Sequence, residues 1–195
     1  MPIKSFQEGI IDLFYKGATS SKKVRRILTS FGVVFFLGIV FMIYLSFQMD
    51  RLLGFPKLIP GRCGLLISLP VLITGFCLWL WSVWKFMRAK GTPVPFNPPP
   101  ALVVDGPYAF MRNPMMLGVF MLLIGIGIFS GSLSLTVIFV PAFILIVVLE
   151  IKYIEEPELE KRLGEEYLEY RKNTPMMIPK IKKNQGQTQN ARYGR

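Results

Sequence analysis

Apolar positions along this chain fall into four runs separated by polar or proline-rich stretches. Residues 27–47 and 65–84 contain no charged side chain, and each is long enough to cross about 30 Å of hydrocarbon as a helix. Residues 115–129 form a shorter run, near the lower length limit for a span, and residues 133–149 come after Ser130-Gly131-Ser132. So short a connection predicts a hairpin of adjacent antiparallel helices. Gly118, Gly125, Gly127 and Gly131 would let a neighbouring helix approach closely, the last two at small-xxx-small spacing. Pro70 and Pro141 predict bends within their runs.

The stretches outside these runs have their own patterns. Ile3, Phe6, Ile10, Leu13 and Phe14 recur at helical spacing, with Lys4, Glu8 and Asp12 off that stripe. This predicts an amphipathic helix, either on the membrane surface or packed against the bundle. Ser20-Ser21 can cap the next helix. Residues 48–62 read as a short polar connection, and Trp79, Trp81 and Trp84 as an interfacial belt beside Lys85, Arg88 and Lys90. Residues 85–112 are the longest irregular region. Its run Thr92-Pro93-Val94-Pro95-Phe96-Asn97-Pro98-Pro99-Pro100 excludes regular helix, stiffens the loop and suits a pocket wall or a plain linker. Ala101-Leu102-Val103-Val104 is apolar and extended in character.

Composition narrows the class. Of 195 residues, 52% are hydrophobic, and the mean hydropathy of +0.45 fits an integral membrane protein. The net charge of +11 comes from basic residues flanking the apolar runs rather than forming a face with interleaved aromatics, so no nucleic-acid partner is implied. Lysine and arginine number 6 before the first run, 4 in residues 85–112 and 10 after residue 149, against 3 between the first two runs. Four spans then place both termini in the cytoplasm; a fifth, short or broken, would spoil that parity. The chain has no histidine, which excludes Ser-His-Asp triads and histidine metal sites, and no metal is expected. Cys63 and Cys77 read as packing or lipid-facing residues rather than a disulfide. The fold class expected is an all-α polytopic membrane helix bundle of about four spans, with a cytoplasmic pocket formed by loop and C-terminal helix. It divides into an amphipathic and basic segment 1–26, a membrane domain 27–181 and a disordered tail 182–195.

Two stretches carry candidate chemistry. Gly106-Pro107-Tyr108-Ala109-Phe110-Met111-Arg112-Asn113-Pro114 is a turn whose backbone is constrained by its prolines and which carries one arginine into the third run. Irregular backbone beside a membrane segment needs cover from protein or a water-filled cavity. The turn is therefore a candidate site wall, with an ordinary connecting loop as the alternative. The second stretch is acidic: 8 of the 12 carboxylates fall between Glu150 and Glu169. Pro157 predicts that the membrane helix ends or kinks at Glu155-Glu156 and that a second helix starts there. Leu159, Leu163, Tyr167 and Tyr170 form its stripe, and Thr174-Pro175 ends it. The glutamates either face Arg112 and a ligand's cation or serve as a solvated pair at a helix start.

Gly106-Pro107-Tyr108, then Arg112-Asn113-Pro114-Met115-Met116-Leu117-Gly118, then Glu155-Glu156-Pro157-Glu158-Leu159, then Gly164-Glu165-Glu166-Tyr167 through Pro175 and Pro179 form an ordered set. In that order and spacing they resemble the isoprenylcysteine carboxyl methyltransferase and phospholipid methyltransferase family of integral membrane enzymes. The resemblance covers roughly residues 65–181. It implies S-adenosylmethionine bound on the cytoplasmic side and a lipid-embedded or lipidated methyl acceptor. It also implies a cofactor site of Leu102, Val103, Gly106, Tyr108, Arg112, Asn113, Pro114, Gly118, Glu155 and Glu156, with Arg112 acting directly. A carboxylate of Glu155 or Glu156 suits the cofactor's ammonium, and Leu102, Val103 and Met121 suit its adenine.

Asn113 and Met116 replace the family's histidine and tyrosine, so position 113 cannot serve as a base. Asn173 stands where prenylcysteine enzymes carry arginine, and Arg171 is the nearest substitute. The competing readings are a nicotinamide-dependent sterol or isoprenoid reductase, disfavoured by carboxylates where phosphate would need cations, and a non-catalytic membrane adaptor.

Overall fold

The computed structural model describes residues 2–19, 31–59, 62–89, 99 and 101–178, and it is all helical among them. Helix α1 is Pro2–Thr19, α2 Phe31–Leu53, α3 Arg62–Arg88 and α4 Pro114–Ser130. A single-turn 3-10 helix, Gly106–Ala109, precedes α4. The chain then runs as one long rod over Leu135–Leu163. That rod consists of a π turn Leu135–Phe139, α5 Val140–Glu150, a second π turn Ile151–Glu155 and α6 Glu156–Leu163. Helix α7, Glu165–Asn173, closes the described order. Three helices are long and apolar enough to cross a membrane: α2, α3 and the rod, while α4 is apolar throughout but only 17 residues long.

The expected all-α membrane bundle is therefore the architecture found. The proposed cap at Ser20-Ser21, the first four residues of the run 27–47, the proline wall 92–98 and 100, Pro179 and the tail 182–195 lie outside the described residues. Of that wall Pro99 is described, and it is buried.

Close packing of α3 on α4 explains the glycines. A Cβ on Gly118 would fall 2.8 Å from the Trp79 backbone N and Cβ, and one on Gly75 would fall 2.8 Å from the Met121 Cβ. Neither helix could approach so near with larger residues there. A Cβ on Gly125 would fall 2.7 Å from the Leu72 Cδ2 and Cγ, with the Leu72 backbone N farther off at 3.3 Å. The pair Gly127 and Gly131 divides its work. Gly127 admits Thr136 of the return helix, whereas Gly131, at φ +69°, is the left-handed cap that ends α4.

Three sequence expectations need correction or refinement. Helix α2 extends to Leu53, so Gln48, Asp50 and Arg51 are helical rather than part of the connection. The reason is tertiary: the Asp50 carboxylate accepts from the Ser132 hydroxyl and from the Ser134 amide (2.9 Å), capping the return helix from another element. At Pro157 the rod changes winding rather than ending: an α-helix starts at Glu156 with Pro157 in its first turn, as expected, but it follows the π turn without a break. Each interior proline of the rod, Pro141 and Pro157, stands just after a π turn, whose wider winding takes up the missing amide and the ring. The helix with the tyrosine stripe is instead broken at Gly164 (φ +59°, ψ −135°) into α6 and α7.

Two buried clusters hold the bundle. Leu123, Leu135 and Val140 pack with Ile39, Met42 and Ile43 of α2. Phe120, Val147 and Ile151 pack with Phe143, Met176 and Met177, and the Phe120 and Phe143 rings meet edge to face at 6.0 Å. The second cluster carries the C-terminal segment onto the membrane helices, which matters for the site. Cys63 and Cys77 are free and exposed on α3.

Gly118→Ala should lower stability by about 1–3 kcal/mol through overpacking against rigid backbone. Gly125→Ala should cost less, because its two closest neighbours belong to the Leu72 side chain, which can shift, and the nearest backbone atom is 3.3 Å away. Thermal unfolding of the detergent-solubilised protein checks the ranking.

Candidate functional site

The turn predicted as a site wall is built from its glycine and prolines upward. Gly106 adopts φ +61°, which only glycine does without strain, and Lys85 lies across it in an ion pair with Asp105. Pro107 opens the 3-10 turn and is buried with Tyr108. The Tyr108 ring packs on Phe86 at 5.9 Å, and its carbonyl accepts a 2.7 Å hydrogen bond from the Tyr170 hydroxyl of α7. Burial pushes the phenols of Tyr108, Tyr167 and Tyr170 well above their ordinary range, so all three stay protonated at working pH. Asn113 and Pro114 start α4, with Pro114 in the first turn, where its missing amide costs nothing.

Past the turn, the backbone is clamped by the end of the described chain. The Arg112 amide donates to the Pro175 carbonyl (2.9 Å) and the Asn113 amide to the Met176 carbonyl (3.0 Å). Thr174, Pro175 and Met176 thus form a strap lying along the motif. Arg112 knots the strap to the rod. One of its terminal nitrogens donates to the carbonyls of Arg171 (2.9 Å) and Thr174 (2.7 Å), which end α7 and need partners. The other meets the Glu156 carboxylate at 2.5 Å. Glu156 is 3% exposed, and its second oxygen faces the Arg171 Nε at 3.5 Å. Arg171 continues to Glu160 at 3.1 Å. The Arg112 Nε is buried with no hydrogen-bond partner among the described residues.

The two glutamates therefore differ. Glu156 is spent on two arginines, whereas the half-buried Glu155 makes no hydrogen bond or ion pair among the described residues. Glu155 interacts electrostatically with Tyr108 of the motif turn and with Tyr167.

The structure brings Arg112 and Asn113 onto the strap, joins Glu156 to them through Arg112, ties Tyr108 to α7 through Tyr170, and sets Pro114 at the start of α4. Leu102 and Val103 lie elsewhere, lining a cavity of about 460 Å³ with Lys85, Arg88 and Asp105, and Gly106 links the two places through Lys85. Arg88 covers the Trp84 ring at 4.0 Å beside that cavity. Gly118 and Met121 face α3 in the helix interface. Sequence reading did not foresee the Tyr170 hydroxyl or the strap's backbone acceptors. Carbonyl groups leave no mark in a sequence, and the only signal was Thr174-Pro175 as a helix stop. Asn173 turns back on its own helix, donating to the Glu169 carbonyl at 2.9 Å, and Arg171 is the cation that joins the network.

The phospholipid methyltransferase family model matches residues 64–166, just over half of the chain. The chain belongs to that family. The matched stretch contains the Gly106 turn, the hairpin and both glutamates; α1, α2 and the strap lie outside it. No curated protein and no solved structure matches the chain. With its apolar helices, this makes the protein an integral membrane methyltransferase, a reading the family match favours over the nicotinamide reductase and adaptor readings.

Removing one partner of a buried ion pair strands the other, so Glu156→Ala should destabilise the fold by about 3–5 kcal/mol. Glu160→Ala, at the half-exposed end of the network, should cost about 1 kcal/mol or less. Thermal unfolding of both variants in one detergent measures the contrast.

Proposed function

We propose that the protein transfers a methyl group from S-adenosylmethionine to a lipid-embedded or lipidated acceptor. The observation that carries this reading is a pair of unsatisfied groups of opposite kind beside the motif. The Arg112 Nε is a buried donor lacking an acceptor, and Glu155 is a carboxyl group with no hydrogen bond or ion pair, both among the described residues. The amino-acid end of the cofactor presents a carboxylate and an ammonium, which need one of each. The residues present therefore fit the group. Arg112 and Asn113 would serve the carboxylate, Glu155 the ammonium, and the Leu102 and Val103 cavity the adenine. Gly106, Tyr108, Pro114 and Glu156 support this site as framework: they shape the turn, brace it against α7 and hold the guanidinium. Gly118 supports it by letting α4 lie against α3.

The cofactor supplies an electrophilic methyl group on a sulfonium, and displacement at that carbon needs alignment and exclusion of water more than acid or base. Arg112 contributes orientation, because Glu156 and two carbonyls hold its guanidinium still. Asn113 cannot titrate, and the phenols stay protonated, so neither supplies a general base near neutral pH. That favours an acceptor already ionised or one that arrives deprotonated. The distribution of lysine and arginine supports cytoplasmic termini and a cytoplasmic site. The division into a segment 1–26, a membrane domain 27–181 and a tail 182–195 belongs to the same reading.

S-adenosylmethionine should raise the unfolding temperature in detergent, and radiolabelled methyl should pass to a host lipid extract or to small prenylated thiols. Glu155→Gln should weaken cofactor binding about tenfold or more while leaving the fold intact. Arg112→Lys keeps the charge but loses the fork, and should cut methyl transfer about tenfold to a hundredfold. A wild-type protein that S-adenosylmethionine does not stabilise would overturn the proposal.

A further inference from the structure

Pro157 removes a donor at a sensitive place. In an α-helix the Tyr153 carbonyl would accept from the amide of residue 157, and proline has none. The replacement donor comes from a helix 146 residues away in sequence: the Gln7 Nε2 of α1 lies 2.9 Å from the Tyr153 carbonyl. Tyr153 sits inside the π turn Ile151–Glu155, two residues before Glu155 and three before Glu156. Other contacts of α1 converge on the same piece of rod. Asp12 pairs with Lys161 at 2.5 Å, the Lys161 ammonium lies 4.9 Å over the Tyr15 ring, and Pro157 lines a cleft with Glu8, Ile11 and Asp12. Helix α1 lies outside the stretch that the family model matches.

The winding of that turn decides which side chain faces Arg112. One residue is about 100° of helix rotation. Rewinding the π turn would therefore carry Glu156 away from the guanidinium and move Glu155 with it. We propose that Gln7 is a positioning residue. By satisfying the Tyr153 carbonyl it holds the π turn open, and so keeps Glu156 on Arg112 and Glu155 free beside the motif. The link to cofactor affinity rests on the proposed function of Glu155; the hold on the π turn does not.

Three variants of the full-length protein in lipid vesicles test this. Gln7→Met keeps the length and removes the donor, Gln7→Lys keeps a donor, and Pro157→Ala restores the amide within the helix. Gln7→Met should speed amide hydrogen exchange across residues 151–163 about threefold to tenfold, leaving α3 and α4 unchanged. It should raise KM for S-adenosylmethionine by a similar factor with kcat unaltered, and Gln7→Lys should behave as the wild type. In the Pro157→Ala background, Gln7→Met should have no further effect. Unchanged exchange in Gln7→Met, a rise spread evenly over the bundle, or an undiminished effect alongside Pro157→Ala would each overturn the inference. Should the wild type fail to bind S-adenosylmethionine, the proposed function falls, while the exchange measurements still decide the role of Gln7.

Discussion

The buried contact between Arg112 and Glu156 is the constraint on which the rest of the structure depends. Both side chains are nearly withdrawn from solvent, so each charge would be costly without the other. The pair joins regions 44 residues apart, the motif turn and the rod, and Arg112 reaches on to the carbonyls that end α7. One guanidinium thereby brings loop, rod and strap to a single point. Its planar fork is what permits this, since an ammonium could not hold a carboxylate and two carbonyls in fixed directions.

That contact requires a particular winding of the rod, and the winding comes from proline. A straight α-helix through Pro157 would clash with the preceding turn and lose an amide. The π turn Ile151–Glu155 resolves the clash and rotates α6 relative to α5, and the same arrangement recurs at Pro141. In a membrane protein this solution has a further merit. Backbone groups near the hydrocarbon need internal partners, and a π turn keeps more of them than a broken helix does. Gly164 then ends α6, so that α7 can return its carbonyls and the Tyr170 hydroxyl to the motif.

The small residues act in the opposite sense, by removing bulk where two helices must touch. Gly75 and Gly118 bring α3 and α4 together backbone to backbone, which holds the motif turn near the end of α3. Lys85 can then cover Gly106 and pair with Asp105. A glycine that reads as a ligand contact from its place in a motif can thus act one step away, by setting where the ligand-facing turn sits.

The helical bundle was legible in the sequence because lipid imposes a simple rule. A stretch without charge and about 20 residues long can satisfy its backbone in hydrocarbon only as a helix. Membership of the motif set was legible too, since Arg112, Asn113, Pro114 and Glu155-Glu156-Pro157 keep their order whatever the packing. Their division of labour was not. Adjacent glutamates are equivalent in a sequence, and only the rotation of the rod gives Glu156 to two arginines and leaves Glu155 without a partner among the described residues. Asp50 read as part of a connection because its partners, Ser132 and Ser134, lie on another helix. The strap at Pro175 and Met176 engages through backbone carbonyls, which every residue possesses. The sequence alone thus determined which segments are helical and which side chains are available, because those depend on local chemistry and on the solvent. Tertiary structure decided which charges are paired, because pairing depends on helix rotation and on groups that carry no residue-specific signal.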